Sequence, residues 1–242
     1  MSTKGKREQV NFSIVETNGL TEYGNYIVRF MKRVLVACEE SQVVTKAFRE
    51  LGHEAYSCDI LPCSGGHPEW HFQKDVFEVI NDGHWDLMVA HPPCTYLTVT
   101  GNRWFTNKDG SRNEERYRKR DEALDFIRRI MDANIEQIAI ENPVGFISTF
   151  IRKPDQIIQP YMFGDEASKK TCLWLKNLPE LKATKLVSKG ERVYYKSGKS
   201  HPKWYAEALT KAKTPQERST LRSKTFPGIA KAIAEQWGGY AK

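Results

Sequence analysis

Cys94 stands directly after Pro92-Pro93, and the prolines follow the apolar run Leu87-Met88-Val89-Ala90. A thiol at a strand end, on backbone that two prolines fix, is placed for nucleophilic attack. A single cysteine is more often a packed and inert side chain, so the residues around it decide. Leu97, Thr98 and Gly101 follow at offsets of three, four and seven. Glu141 ends a later apolar run, Gln137 to Ile140, and opens Glu141-Asn142-Pro143. A carboxyl beside a nucleophile can hold or donate a proton, and a dry setting favours its protonated form. Asp59 closes the run Ala55-Tyr56-Ser57-Cys58, and Asp75 lies further on. Each can accept hydrogen bonds from a polar ligand; the plainer roles are a turn for Asp59 and a helix N-cap for Asp75. Cys58, Cys63, His67 and His71 fall within fourteen residues. Their spacing, Cys-x4-Cys-x3-His-x3-His, crowds the two pairs more than structural zinc sites do. No metal is expected, and Gly65-Gly66 reads as a tight turn in a loop on the ligand side.

Positioning these residues takes alternating strands and helices. Val34 to Ala37 reads as a buried strand that leads into Cys38-Glu39-Glu40-Ser41. An amphipathic helix then runs from Val43 to Leu51 and stops at Gly52. Ala55 to Cys58, Asp86 to Ala90 and Gln137 to Ile140 read as further strands. Arg120 to Ala133 reads as a helix with its apolar stripe at Ala123, Leu124, Ile127, Ile130 and Met131. This alternation predicts an α/β fold, a doubly wound and largely parallel sheet. Ligands in such sheets sit at the carboxyl ends of the strands. Cys38-Glu39, Asp59, His91 to Cys94 and Glu141-Asn142 would then share one crevice. Residues 1–30 read as an N-terminal extension, with a strand at Val10 to Val15 and a turn at Asn18-Gly19. Residues 31–180 read as the catalytic core and 225–242 as a last helix, Gly228 to Trp237, returning to it. Arg103 to Arg120 reads as a charged, turn-rich loop.

The chain has 242 residues and a formal charge of +7, placed unevenly. Residues 181–224 hold twelve Lys and Arg against three Glu, an excess of nine, while the remainder carries a net −2. Tyr194, Tyr195, Trp204 and Tyr205 are interleaved with that charge. A basic stripe with stacking residues has the composition of a nucleic-acid contact. Apolar residues at 40% and charged residues at 28% exclude wholesale disorder and a coiled-coil rod. No apolar stretch reads as a membrane span, and Met1 to Gln9 is too polar for a secretory signal. Five cysteines, an odd number, suit a reducing cytoplasm better than a disulfide framework.

The sequence resembles the DNA (cytosine-5) methyltransferases. That family carries Pro-Cys-Gln at a strand end, then an aromatic, Ser and Gly at the same three offsets, and Glu-Asn-Val at a later strand end. Here the matches are Pro93-Cys94-Thr95, Leu97, Thr98, Gly101 and Glu141-Asn142-Pro143. Small phage-encoded members also share stretches like Ser64 to His71, Lys169 to Leu175 and Thr225 to Ala230, so the resemblance covers about residues 32–240. It implies a Rossmann-like S-adenosylmethionine-dependent fold with a small basic C-terminal recognition segment. Cys94 would add to C6 of a cytosine flipped out of duplex DNA, and Glu141 would serve its N3. S-adenosylmethionine would be held by Cys38, Glu39, Ser41, Asp59, Ile60, Asp75, Val76, Pro92, Pro93 and Leu124. Asp59 would take the ribose hydroxyls, Asp75 the adenine amino group, and Glu39 the methionine ammonium. The role implied is shielding phage DNA from restriction, by a monomer in a bacterial cytoplasm.

The chain departs from the family in three places. Its first loop, Cys38 to Gln42, lacks glycine; Pro143 replaces Val; and Lys169-Lys170-Thr171 stands where the family presents Gln-x-Arg-x-Arg. Lys170 is the candidate for the cytosine carbonyl or a phosphate, though less directional than Arg. The loop from Gly101 to Arg120 would close over the base, with Thr98, Gly101, Arg103, Lys108 and Arg112 at the DNA. Lys196, Lys199 and Lys203 would contact it from the basic segment. That segment is short, which predicts a target of roughly two to four base pairs. Three alternatives stay open: an enzyme of free deoxycytidylate, an amino-methyltransferase, whose motif His91 and Cys94 do not fit, and a catalytically silent DNA-binding relative.

Overall fold

The computed structural model describes residues 16–17, 20–23, 26–29, 31–223 and 225–239. The expected strand at Val10 to Val15 and turn at Asn18-Gly19 lie outside them. Three short strands, β1 (Glu16–Thr17), β2 (Leu20–Tyr23) and β3 (Tyr26–Arg29), form a small antiparallel sheet ahead of the main one.

The main sheet has seven strands: β4 (Arg33–Ala37), β5 (Glu54–Asp59), β6 (His71–Gln73), β7 (Leu87–Ala90), β8 (Gln137–Pro143), β9 (Gln156–Ile158) and β10 (Thr171–Lys176). Their order across the sheet is β6-β5-β4-β7-β8-β10-β9. The first five are parallel, and β10 runs antiparallel to both its neighbours. The chain winds outward from β4 in both directions, so the switch point lies between β4 and β7, where such sheets open a crevice. This mixed sheet fits the Rossmann-like fold of methyltransferases.

Side-chain alternation builds a core on each face. Val34 and Val36 of β4 join Leu87, Val89, Ala139 and Leu173 against α1 (Val43–Glu50) and the last helix. Leu35 and Ala37 join Met88, Ala90, Ile138, Ile140 and Trp174 against α2 (Val76–Asp82) and α3 (Glu114–Met131). Strands buried on both sides explain the unbroken apolar runs of the sequence. Among the described residues no helix is long and apolar enough to cross a membrane.

Two expectations change. The helix expected from Arg120 begins at Glu114, so much of the expected Arg103–Arg120 loop is helical. Asn113 caps it by accepting a hydrogen bond from Arg116 N–H at 3.1 Å, and Glu114 and Glu115 suit its positive end. Its first turns carry no apolar stripe because they lie N-terminal to the buried residues Leu124, Ile127 and Ile130, which hides them from a periodicity reading. The second change is the antiparallel return through β9 and β10, which no local pattern announces. A short helix, α4 (Ile147–Phe150), precedes it.

The basic segment is compact. A hairpin, β11 (Arg192–Tyr194) with β12 (Ser200–Pro202), leads into α5 (Lys203–Lys211) and α6 (Pro215–Ser223). Trp204 anchors it: its indole N–H donates to Ser168 O at 3.2 Å, and its ring meets Phe226 edge-on at 5.5 Å. α7 (Pro227–Trp237) then returns to pack on α1, with Trp237 buried.

Candidate active site

Strand register brings the chemistry together. Val89 pairs with Ala139 and Ala90 with Ile140 in the parallel β7–β8 ladder. One residue further, His91 leaves β7 beside Glu141, which is still in β8, and His91 Nδ1 lies 3.4 Å from Glu141 Oε2. Both side chains are largely buried, at 12% and 16% exposure. Asn142, fully enclosed, donates its Nδ2 to Pro92 O at 2.8 Å and so ties the end of β8 to the Pro-Pro-Cys turn. Cys94 O accepts from the N–H groups of Leu97 and Thr98, both at 3.0 Å, which winds one tight turn behind the thiol. Phe146 N–H donates to Leu97 O at 2.7 Å, and Thr98 bridges Gly145. Gly145 is needed for that approach: a Cβ there would sit 1.8 Å from Leu97 O.

Cys94 is half-buried. Burial pushes its thiol above the ordinary value and the Glu141 carboxylate adds to this, while Lys169 and Arg222 oppose. Burial also pushes the Glu141 carboxyl up. Here the hydrogen bonds from His91 and Thr171, with the charges of Lys169 and His91, outweigh it and leave Glu141 below the carboxylate range. The free site therefore holds a thiol beside a carboxylate.

Lys169, and not Lys170, faces this pair. In the antiparallel β8–β10 ladder Leu173 pairs with Glu141. Thr171, two residues back, shares that face, and the charge of Lys169, just before β10 begins, acts on both Cys94 and Glu141. Lys170 is exposed and acts electrostatically on Cys172. Lys169 Nζ donates to Arg222 O at 3.3 Å, so α6 reaches this corner too. The sequence places His91 in the shared crevice without giving it a role, and it points to Lys170 where the structure has Lys169. The strand-end position is the signal for His91; no local pattern separates Lys169 from Lys170.

The ends of β4 and β5 line the other side of the switch point. Cys38 (φ 58°) and Gln42 (φ 57°) take left-handed backbone at the two ends of the glycine-free loop. That conformation costs an L residue about 1–2 kcal/mol, and Gln42 holds it with hydrogen bonds to Ser57 Oγ (3.2 Å), His67 O (2.7 Å) and His67 N–H (3.1 Å). Glu39 is not available to an ammonium. Its carboxylate accepts from Val44 N–H (2.7 Å), Thr45 N–H (3.2 Å) and Thr45 Oγ1 (2.7 Å), and so caps α1. Ser41 is half-buried beside it.

Asp59 ends β5 half-buried, its carboxyl raised by burial and by Glu40, with Oδ1 accepting from Leu61 N–H at 2.9 Å. Ile60 and Leu61 next to it are 75% and 52% exposed. An acid beside exposed apolar side chains at a switch point fits a ribose and an adenine. Asp75 is the N-cap of α2, with Oδ1 accepting from Phe77 N–H at 2.8 Å. Val76 and Leu124 are buried in the core at 5% and 2%, so Leu124 offers a ligand no wall. Pro92 is buried and Pro93 exposed.

The residues expected at DNA divide in two. Near Cys94, Gly101 is buried, Arg103 stacks on Trp104 at 4.5 Å, and Lys108 is exposed. Arg112 lies over Tyr117 at 3.8 Å and pairs with Glu114 at 3.1 Å. In the basic segment Lys196 and Lys199 sit exposed in the β11–β12 turn, while Lys203 pairs with Glu191 at 2.7 Å. Among the described residues no group of three His, Cys, Asp or Glu converges on a metal position. His71 instead contacts Ser57 Oγ (2.8 Å) and Leu61 O (2.9 Å), and His67 stacks on Trp70 at 3.8 Å.

No family model matches the chain, and no curated protein matches it. Among solved structures, an E. coli protein described as a "putative DNA modification methyltransferase encoded within prophage" aligns with 59% of this chain, at 14% identity and a TM-score of 0.36. The chain spans 45% of the length of that solved chain.

Proposed function

We propose that this protein transfers a methyl group from S-adenosylmethionine to C5 of cytosine in DNA. The observation that carries the reading is the convergence of Cys94 and Glu141 at the carboxyl edge of β7 and β8, clamped by Asn142 to Pro92 and bordered by His91 and Lys169. Asp59, with Ile60 beside it, would hold the cofactor's ribose and adenine, and Asp75 would stand at the adenine edge. When bound, the cofactor supplies an electrophilic methyl group.

The chain's own part is proton and electron placement. The free site holds Cys94 as thiol and Glu141 as carboxylate. Moving one proton from the thiol to the carboxylate creates both reactive forms without changing net charge. The thiolate pair then forms the S–C6 bond, and the Glu141 carboxyl gives its proton to N3, leaving C5 electron-rich. After C5 gains its methyl, the N3 proton returns to Glu141, the C5 proton leaves to water, and the S–C6 bond breaks with its electron pair going back to Cys94 as thiolate. Lys169 steadies the anionic stages. The basic hairpin and α5–α6 would take the DNA backbone, and flipping brings the base within reach. Modification that hides DNA from restriction is the role such an activity fits.

The test is transfer of labelled methyl from S-adenosylmethionine to mixed-sequence duplex DNA, with Cys94→Ala alongside. Label recovered as 5-methylcytosine and abolished in the variant is expected. Label on an exocyclic amino group, on free deoxycytidylate alone, or unchanged in Cys94→Ala would overturn the reading.

A further inference from the structure

A cleft of about 340 Å³ opens between the Cys94 turn and the start of α3, lined by Tyr96, Trp104, Asn113, Glu115, Arg116 and Lys119. We propose that it is a second nucleobase site, taking an unstacked, amino-bearing base next to the target on the same DNA strand. This rests on the DNA substrate proposed above and adds a specificity determinant to it.

The shape suits one nucleotide. Ligand pockets run from about 300 to 1,000 Å³, so this one sits at the small end. Trp104 is 53% exposed although the next residue, Phe105, is buried and fixes the turn. The Arg103 guanidinium lies 4.5 Å from its ring. Exposed aromatics beside cations are the usual stacking platform for single-stranded bases.

The polar atoms narrow the choice of base. Asn113 is occupied at both ends, accepting from Arg116 N–H at 3.1 Å and donating to Trp104 O at 3.2 Å. Lys119 pairs with Glu122 at 3.3 Å. Glu115 is the carboxylate on the wall, exposed and with no ion pair among the described residues. A carboxylate there accepts from the exocyclic amino group of cytosine, adenine or guanine. Thymine has no exocyclic amino group and offers only its ring N3–H, set between two carbonyl oxygens that the carboxylate repels.

Arg116 couples the cleft to the nucleophile. Its Nη2 donates to Thr95 O at 3.2 Å, one residue from Cys94, and its guanidinium lies 5.1 Å from both the Tyr96 and Phe105 rings. Its Nε is buried with no partner among the described residues. A base in the cleft is thus held at a fixed offset from the thiol, as a strand neighbour of the target would be.

Two measurements test this. The first compares kcat/KM on duplexes whose target cytosine has each of the four bases on either side, for the wild type, Trp104→Ala and Glu115→Gln. The wild type is expected to disfavour thymine on one side by about tenfold. Glu115→Gln should erase that preference, since an amide both donates and accepts, and Trp104→Ala should raise KM for every neighbour. A thymine bias retained in Glu115→Gln, or no neighbour preference in the wild type, overturns the proposal. The second places 2-aminopurine at the neighbour position and reads its emission at saturating protein, with no methyl transfer required. Wild type and Trp104→Ala should give different emission, and identical spectra overturn the proposal. Absent transfer with a Trp104-dependent signal would sink the methyltransferase reading alone.

Discussion

Nδ1 of His91 lies 3.4 Å from Oε2 of Glu141 because two parallel strands run in register one residue short of both. This contact, with Thr171 and Lys169, keeps a buried carboxyl ionised against the cost of its burial. The same carboxylate helps keep Cys94 protonated. Thiol and carboxylate are therefore one proton-sharing unit, and the reactive pair differs from the resting pair only in where that proton sits.

A pH profile follows from these directions. The pair works with one shared proton, so kcat/KM should fall in acid only as the pair gains a second proton, on Glu141, below the ordinary carboxylate value of about 4.3. It should fall in alkali only as Cys94 loses its proton, above the ordinary thiol value of about 8.5. The expected profile is a broad plateau between those limits. A profile that climbs steadily through the ordinary thiol range would mean that Cys94 ionises to solvent, independently of Glu141.

Replacing His91 by Gln weakens the contact that lowers Glu141. Burial then acts with less opposition, and the acid limb of the profile should move upward while the fold stays intact. General acid–base contributions are typically 10²–10⁴-fold, so kcat should fall by at least about tenfold as the shared proton is misplaced. Thermal melting and the pH dependence of kcat, measured together, separate this from simple unfolding. An unchanged acid limb would show that His91 does not set the Glu141 proton.

The loop clamp predicts a different signature. Asn142→Ala leaves Pro92 O without its buried donor, at a cost of about 1–3 kcal/mol. Gly145→Ala is expected to be worse, because its new Cβ meets backbone oxygen that no rotamer change can move. Both should lower the melting temperature and kcat together, whereas Cys94→Ala should lower kcat alone.

Lys169 and Lys170 offer the cleanest contrast between neighbours. Lys169→Ala removes a positive charge that opposes the rise of the Cys94 thiol, so less thiolate stands ready at neutral pH. Alkylation of Cys94 should slow in proportion, by about tenfold where the thiol pKa climbs by one. Lys170→Ala should leave that rate alone, because its charge falls on Cys172. Mass spectrometry of the Cys94 peptide against pH reads the rate without needing substrate. Equal slowing in the two variants would show that Lys169 has no special bearing on Cys94.

That contrast also shows where the sequence is legible. Strands buried on both faces write themselves as apolar runs, so Val34 to Ala37, Leu87 to Ala90 and Ile138 to Ile140 are readable, and with them the strand-end positions of Cys94 and Glu141. Pairing register is not written locally. Without it Lys169 and Lys170 are equivalent, and His91 has no partner. Glu39 eludes the sequence for a related reason: a buried acid before a helix serves an N-terminus whose N–H groups exist only once α1 has formed. The first turns of α3 escape because they bury little and depend on Asn113 and paired charges for their ends.

Charge on the basic segment should count only where it is unpaired. Lys196 and Lys199 project from the β11–β12 turn, exposed and with no ion pair among the described residues, whereas Lys203 is held by Glu191 at 2.7 Å. Removing one cation from a phosphate flattens the slope of log affinity against log salt by about one. Lys196→Ala and Lys199→Ala should each show that drop, uniformly across DNA sequences. Lys203→Ala should show less, because releasing DNA returns its charge to Glu191 rather than to water. Fluorescence anisotropy on a labelled duplex, across about 50 to 200 mM salt, reads all three slopes. If Lys203→Ala changes the slope as much as the other two, DNA must break the Glu191 pair on binding, and the hairpin must meet the backbone through the start of α5.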